Sequence, residues 1–160
     1  AIGSGSREIT CAKGLRIVTD YTLEDHPKLD IVLVPGGQGT RAIFANGGPE
    51  IDWLKKVAPD CTWVTSVCTG ALLLHRAGQL QGKRATTYWA AVDLLRGGGN
   101  VEVMDDVRFV RDGNVVTSAG ISAGMDMSLW LLGQLKSPEF ARFVQKGIEY
   151  FPAPPYTAAA

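Results

Sequence analysis

Three features of the chain predict an α/β fold built on a mostly parallel sheet. Strand-like and helix-like stretches alternate from one end to the other. One strand-like run, Leu29-Asp30-Ile31-Val32-Leu33-Val34, is almost continuously apolar, the composition of a strand covered on both faces. Small-residue turns follow three of the strand-like runs, at the carboxyl ends where open α/β sheets bind their ligands.

In chain order, Glu8 to Cys11 and Leu15 to Val18 flank Ala12-Lys13-Gly14 and read as a short hairpin. The apolar run at 29–34 stops at Pro35-Gly36-Gly37-Gln38-Gly39-Thr40, a loop that needs a permissive backbone. A helix is expected over 50–57. Residues 61–67 are rich in β-branched and aromatic side chains and read as a buried strand. Ala71 to Ala77 are good helix formers, with Gly78 as the stop. Another helix is expected over 88–96, ended by Gly97-Gly98-Gly99. Val107 to Val110 and Asn114 to Ser118 surround Asp112-Gly113, a hairpin signal. Met125 to Leu135 reads as a buried helix and Pro138 to Gln145 as a short last one. Prolines at 152, 154 and 155 forbid a helix in the tail at 151–160. No repeat or linker divides the chain, so residues 1–160 are expected to form a single domain.

The 160 residues carry 16 basic and 16 acidic side chains. That balance offers no charge to recruit nucleic acid or an anionic membrane, so neither is expected as a partner. No apolar run reaches the length of a membrane span, and no signal-peptide pattern stands at Ala1. Three cysteines, at 11, 61 and 68, cannot all pair with one another. Free thiols in a reducing cytoplasm are therefore expected.

Chemistry concentrates at Thr65-Ser66-Val67-Cys68-Thr69-Gly70-Ala71, where a strand turns sharply into a helix. A thiol at such a junction meets unpaired N–H groups and the positive end of the helix, which favour the thiolate. The arrangement is that of a nucleophile elbow carrying cysteine. The alternative for Cys68 is a buried structural thiol. Gly36 and Gly37 can turn main-chain N–H groups toward a ligand as an oxyanion hole does, or can simply make a tight turn. Ser118-Ala119-Gly120-Ile121-Ser122 is the third loop expected at the same end of the sheet. His75 lies two helical turns beyond Cys68, too far to reach the sulfur, and is expected to be packed or at the surface. His26, between Asp25 and Pro27, is expected in a solvated turn. No metal-ligand spacing and no phosphate-binding loop is present, so no metal or cofactor is expected. Glu24-Asp25 and Asp105-Asp106 read as solvated turn charges, and Asp126 as an acid favoured by a helix start.

Several blocks together resemble the ThiJ/PfpI superfamily (class I glutamine amidotransferase-like). They are Pro35 to Gly39, Thr65 to Ala71, Ala77-Gly78 with Leu80-Gln81-Gly82, Arg84-Ala85-Thr86-Thr87 before Trp89, and Ser118 to Met127. Within it, the Cys-Thr-Gly elbow and the ending Ile148 to Pro155 are similar to the isonitrile hydratases. The resemblance implies a flavodoxin-like sandwich, a homodimer and a small-molecule substrate. It makes Cys68 the nucleophile that attacks an isonitrile carbon, giving a thioimidate that water releases as an N-substituted formamide. Backbone N–H groups near Gly36, Gly37 and Thr69 would steady charge, and Ala119, Gly120 and Ile121 would wall the pocket. Family members begin with a further strand and helix that carry the acid partner of the cysteine. The resemblance therefore marks this chain as N-terminally truncated and places that acid upstream of Ala1. Relatives read Thr-His-Trp where this chain has Thr87-Tyr88-Trp89, so Tyr88 is a pocket residue unable to act as an imidazole base. The same superfamily also implies alternatives: a thiol sensor, the ligand-sensing domain of an AraC-type transcription regulator, or an amidase-like or glyoxalase-like hydrolase.

Overall fold

The computed structural model describes residues 1–152. Of the expected Pro-rich tail, all but Phe151 and Pro152 lies outside the described residues. The chain runs through β1 (Ile2–Gly3), β2 (Glu8–Thr10), β3 (Arg16–Val18), β4 (Tyr21–Thr22) and β5 (Ile31–Val34), then α1 (Gly39–Asn46) and α2 (Pro49–Val57). Next come β6 (Trp63–Val67), α3 (Gly70–Arg76), β7 (Lys83–Ala85), α4 (Val92–Gly97) and β8 (Val101–Val103). It closes with β9 (Phe109–Asp112), β10 (Val115–Ser118), α5 (Ile121–Leu135) and α6 (Pro138–Gly147).

The main sheet has the order β5-β6-β10-β9, with β5, β6 and β10 parallel and β9 antiparallel to β10. Register decides where the site forms. Val34 pairs with Ser66 and Ser118 pairs with Val67, so the three parallel strands end level with one another. Side chains on β6 alternate between the two faces. Trp63 meets Trp130 of α5 edge to face at 5.6 Å. Val64, one residue on, joins the core built by Ile51 and Leu54 of α2 and Leu72 and Leu74 of α3. Helices therefore cover both faces of β6, as the alternation of elements predicts; β5 departs from the doubly covered strand expected, since its Leu33 is 48% exposed.

Among the described residues β5 pairs only with β6. Its other edge faces a cavity of about 590 Å³, lined by Ile2, Tyr21, Leu23, Leu29, Ile31 and Trp53 among others. The parallel pair β1–β4 stands across the cavity as a separate two-stranded sheet.

The elements differ from expectation where local signals are short. α1 was hidden behind the glycine loop, yet Ile43 and Phe44 pack on the core. Gly47, at φ 81°, closes it with an N–H bond to the Ile43 carbonyl. β7 and β8 form a parallel pair of three residues each, too short to show a period. The helix expected from Tyr88 begins as a 3-10 turn at Trp89–Ala91, and α4 proper starts at Val92. α5 starts at Ile121 rather than Met125. Gly124 in its first turn lies against β6: a Cβ there would stand 2.9 Å from Val67 Cγ1.

Candidate active site

Because the parallel strands end level, the loops after β5, β6 and β10 converge, and Cys68 lies at their centre. Cys68 is half-buried and adopts φ 58°, a left-handed conformation. That conformation costs a residue with a side chain about 1–2 kcal/mol. Neighbouring main chain holds it there. The Cys68 N–H donates to the Ala119 carbonyl at 2.8 Å and to that of Ser118 at 3.1 Å. Its carbonyl accepts from Thr87 Oγ1 at 2.8 Å. Tyr88, the next residue, lies on the Gly120 loop: a Cβ at Gly120 would sit 3.7 Å from Tyr88 Cδ2.

Two glycines allow the packing at the elbow. A Cβ at Gly36 would lie 2.7 Å from Cys68 Cβ and 2.8 Å from the Thr69 nitrogen, so the first loop lies directly against the thiol-bearing turn. At Gly70 it would lie 2.1 Å from the Val34 carbonyl oxygen, where α3 crosses the end of β5. Both positions are closed to any larger residue without movement of backbone.

The hydrogen bonds distinguish the backbone donors. The Gly37 N–H is already given to Thr69 Oγ1 at 2.9 Å. Thr40 Oγ1 donates to the Gly37 carbonyl at 2.6 Å and lies 2.8 Å from Thr69 Oγ1. Those two hydroxyls lock the glycine loop to the elbow. By contrast, the N–H groups of Gly36, Thr69 and Gly120 carry no hydrogen bond among the described residues. Of these, Gly36 and Thr69 lie directly at the Cys68 turn. Nothing among the described residues hydrogen-bonds the Cys68 sulfur. Ile121, which opens α5, is 85% exposed.

The other sequence candidates lie elsewhere. His75 is buried on α3, its Nε2 bonded to the Gly99 carbonyl at 2.8 Å, as its distance from Cys68 predicts. His26 corrects the expectation of a solvated turn. It is half-buried and accepts from Trp53 Nε1 through Nε2 at 2.8 Å, which leaves Nδ1 to donate to the Pro27 carbonyl at 2.7 Å. All three cysteines are free: Cys11 is exposed and Cys61 buried. Burial, reinforced by the charges of Asp60 and Asp30, pushes the Cys61 thiol above its ordinary pKa. Among the described residues no three His, Cys, Asp or Glu side chains gather as a metal-ligand group. No helix among them is long and apolar enough to cross a membrane.

Glu24, Asp25, Asp105 and Asp106 are all exposed, as expected of turn charges, and two of them carry surface ion pairs. Asp25 bonds to Arg7, and Asp105 to Arg96. Asp126 corrects the expectation of a helix-start acid, because it lies in the second turn of α5. There it pairs with Arg108 at 2.5 Å and accepts from Tyr150 at 2.9 Å. Thr40, Thr87 and Arg108 are the residues around the site that sequence reasoning missed. Thr87 alone left a trace, inside one of the blocks that carried the resemblance.

Residues 1–134 match the DJ-1/PfpI family. The chain is 44% identical over 152 residues to the isonitrile hydratase of Pseudomonas putida, covering 95% of this chain and 65% of that protein. It is 30% identical over 134 residues to the HTH-type transcriptional regulator CdhR of Pseudomonas aeruginosa, covering 83% of this chain but 39% of the regulator. Among solved structures, a ThiJ/PfpI family protein from Pseudomonas syringae superposes with a TM-score of 0.89 at 33% identity, over 99% of this chain and 65% of that one. DJ-1 of Schizosaccharomyces pombe, at 22% identity, shares the fold with a TM-score of 0.72, over 92% of this chain and 80% of that one. The chain thus spans about two thirds of the hydratase it matches and well under half of the regulator.

Proposed function

The chain belongs to the DJ-1/PfpI family, and from that premise we propose that it is the cysteine-bearing part of an isonitrile hydratase. The observation that carries the reading is a cysteine held in a strained left-handed turn, packed against Gly36, with the Gly36 and Thr69 N–H groups unengaged among the described residues. The 44% identity to the Pseudomonas putida hydratase supports an isonitrile as the substrate class.

In this reading the Cys68 sulfur adds to the terminal carbon of an isonitrile. The thiol proton ends on that carbon, so the product is a thioimidate with a carbon–nitrogen double bond. Water then adds to the same carbon and a proton reaches the nitrogen. The carbon–sulfur bond breaks, releasing the N-substituted formamide and restoring the thiol. The first addition builds negative charge on the isonitrile carbon itself, until the proton reaches it, and the second on the nitrogen and oxygen bonded to that carbon. The N–H groups of Gly36, Thr69 and Gly120 would stabilise that charge, with Gly37 fixing the loop through Thr69 Oγ1. Ala119, Gly120, Ile121 and Tyr88 would enclose the substrate's organic group.

The test is formamide production from an aryl isonitrile by the full-length protein and by its Cys68→Ala variant. Turnover by the first and none above background by the second is expected. Equal rates would end the role assigned to Cys68. A second reading, a ligand- or thiol-sensing domain, rests on the likeness to CdhR. It gains if the intact protein leaves the isonitrile untouched.

A further inference from the structure

We propose that Arg108 is a positioning residue for Cys68, acting through both its main chain and its side chain. The argument builds on the reading of Cys68 as the reactive group. It does not depend on which substrate that group attacks.

Arg108 precedes β9 and grips the wall segment at two places. Its carbonyl accepts from the Ala119 N–H at 2.9 Å, and the Ala119 carbonyl in turn accepts from the Cys68 N–H at 2.8 Å. Its guanidinium donates to Asp126 Oδ2 at 2.5 Å and to Ser122 Oγ at 3.0 Å, and lies 3.4 Å from the Tyr150 hydroxyl. Tyr150, beyond the end of α6, donates in the same cluster, with Asp126 Oδ1 at 2.9 Å and the Ser122 carbonyl at 3.2 Å. The stretch from Ala119 to Asp126 is thus held at its start by the Arg108 main chain and at its end by the Arg108 side chain. Gly120 and Ile121, the pocket wall, lie between the two grips.

The geometry matters because Cys68 is strained. A left-handed non-glycine residue persists only where its surroundings over-determine it. Here Ala119 supplies the nearer acceptor for the Cys68 N–H, and Arg108 fixes Ala119. A planar guanidinium suits the task, since its fork can meet Asp126, Ser122 and Tyr150 at once. A lysine at this position could reach only part of the cluster. The pairing also acts on the partners. Arg108 is held above its ordinary pKa chiefly by the bond to Asp126, and Tyr150 is raised by partial burial and by the same carboxylate.

The experiment measures alkylation of Cys68 by iodoacetamide, followed at that cysteine by mass spectrometry, between about pH 6 and about pH 10. Full-length wild type, Arg108→Met, Arg108→Lys and Arg96→Met are compared at a temperature where each is folded. Arg96 also holds two carboxylates, Asp93 and Asp105, so its loss removes a similar exposed cluster elsewhere. Arg108→Met is expected to change the Cys68 rate about fivefold or more, or to move its pH midpoint. Arg108→Lys should recover part of the change, and Arg96→Met should leave Cys68 as in wild type. A purely structural role would lower thermal stability without altering the rate or the midpoint. An unchanged Cys68 profile in Arg108→Met overturns the proposal. Should that variant not fold, Asp126→Asn, which keeps the side-chain shape, is judged by the same criterion. Failure of the hydratase reading would show separately, in the formamide assay.

Discussion

Gly70→Ala tests the packing that joins the elbow to the sheet. Gly70 opens α3, and an added methyl would stand 2.1 Å from the Val34 oxygen, 2.8 Å from the Val34 carbonyl carbon and 3.0 Å from the Pro35 oxygen. All three are main-chain atoms, so no rotamer change relieves the overlap. Either α3 moves off β5 or the loop after β5 opens. Overpacking of this kind costs about 1–3 kcal/mol, and a backbone clash belongs near the top of that range. Alanine's better helix propensity returns up to about 1 kcal/mol. The net loss is about 2 kcal/mol, or roughly 4–8 °C in Tm for a domain of this size. Gly39→Ala supplies the comparison. It also opens a helix, but a Cβ there meets nothing within 4 Å. Urea unfolding followed by circular dichroism should give Gly39→Ala a midpoint at or slightly above wild type and Gly70→Ala one clearly below. A Gly70→Ala midpoint equal to that of Gly39→Ala would refute the argument that close backbone contact shapes the elbow.

Two further outcomes follow from the cysteines. At φ 58° Cys68 pays for its conformation, so Cys68→Gly should be more stable than Cys68→Ala by about 1 kcal/mol in denaturant titration, although both lack the thiol. The reverse order would mean the turn is not strained. Cys61 carries the pH effect. Its thiol pKa is raised in the fold, so the unfolded chain ionises first as pH climbs. The stability contributed is complete below the unfolded value near pH ~8.5 and is lost as pH rises toward the folded value. Stability should therefore fall above about pH 8.5, less steeply in Cys61→Val, and identical slopes would assign the loss to other groups.

How much of this was legible in the sequence depended on the range of each signal. The central strands announced themselves through runs of apolar or β-branched residues; β6 is buried or half-buried throughout, whereas Leu33 of β5 is exposed although the run that carries it reads as doubly covered. β7 and β8 could not, since a parallel pair of three residues has no measurable period and is fixed by contacts made across the chain. α1 was masked by its own entry. Three glycines in five residues read as loop, and only packing of Ile43 and Phe44 on the core makes the next residues helical. The start of α5 failed for a related reason. Its Gly124 fits closeness to Val67 rather than helix propensity, and a single chain gives no sign of what lies 2.9 Å away.

The site divides along the same line. Cys68, the glycine loop and the 118–122 segment are local motifs at strand ends, and the level ends of three parallel strands suffice to bring them together. What holds them in working geometry is not local. Thr40 lies 29 residues before Thr69, and Thr87 lies 19 after Cys68. The Arg108–Asp126 and Arg108–Tyr150 contacts span 18 and 42 residues. A threonine or arginine in such a role looks, in sequence, like any surface polar residue. Its meaning comes from the strained turn that it supports. Asp126 makes the point most clearly: by sequence it is a charge near a helix start, yet in the fold its two oxygens bond Arg108 and Tyr150. Reactive groups can be read from motifs because their chemistry requires particular residue types. The groups that aim them are set by topology, so they come into view only when the strands have been placed side by side.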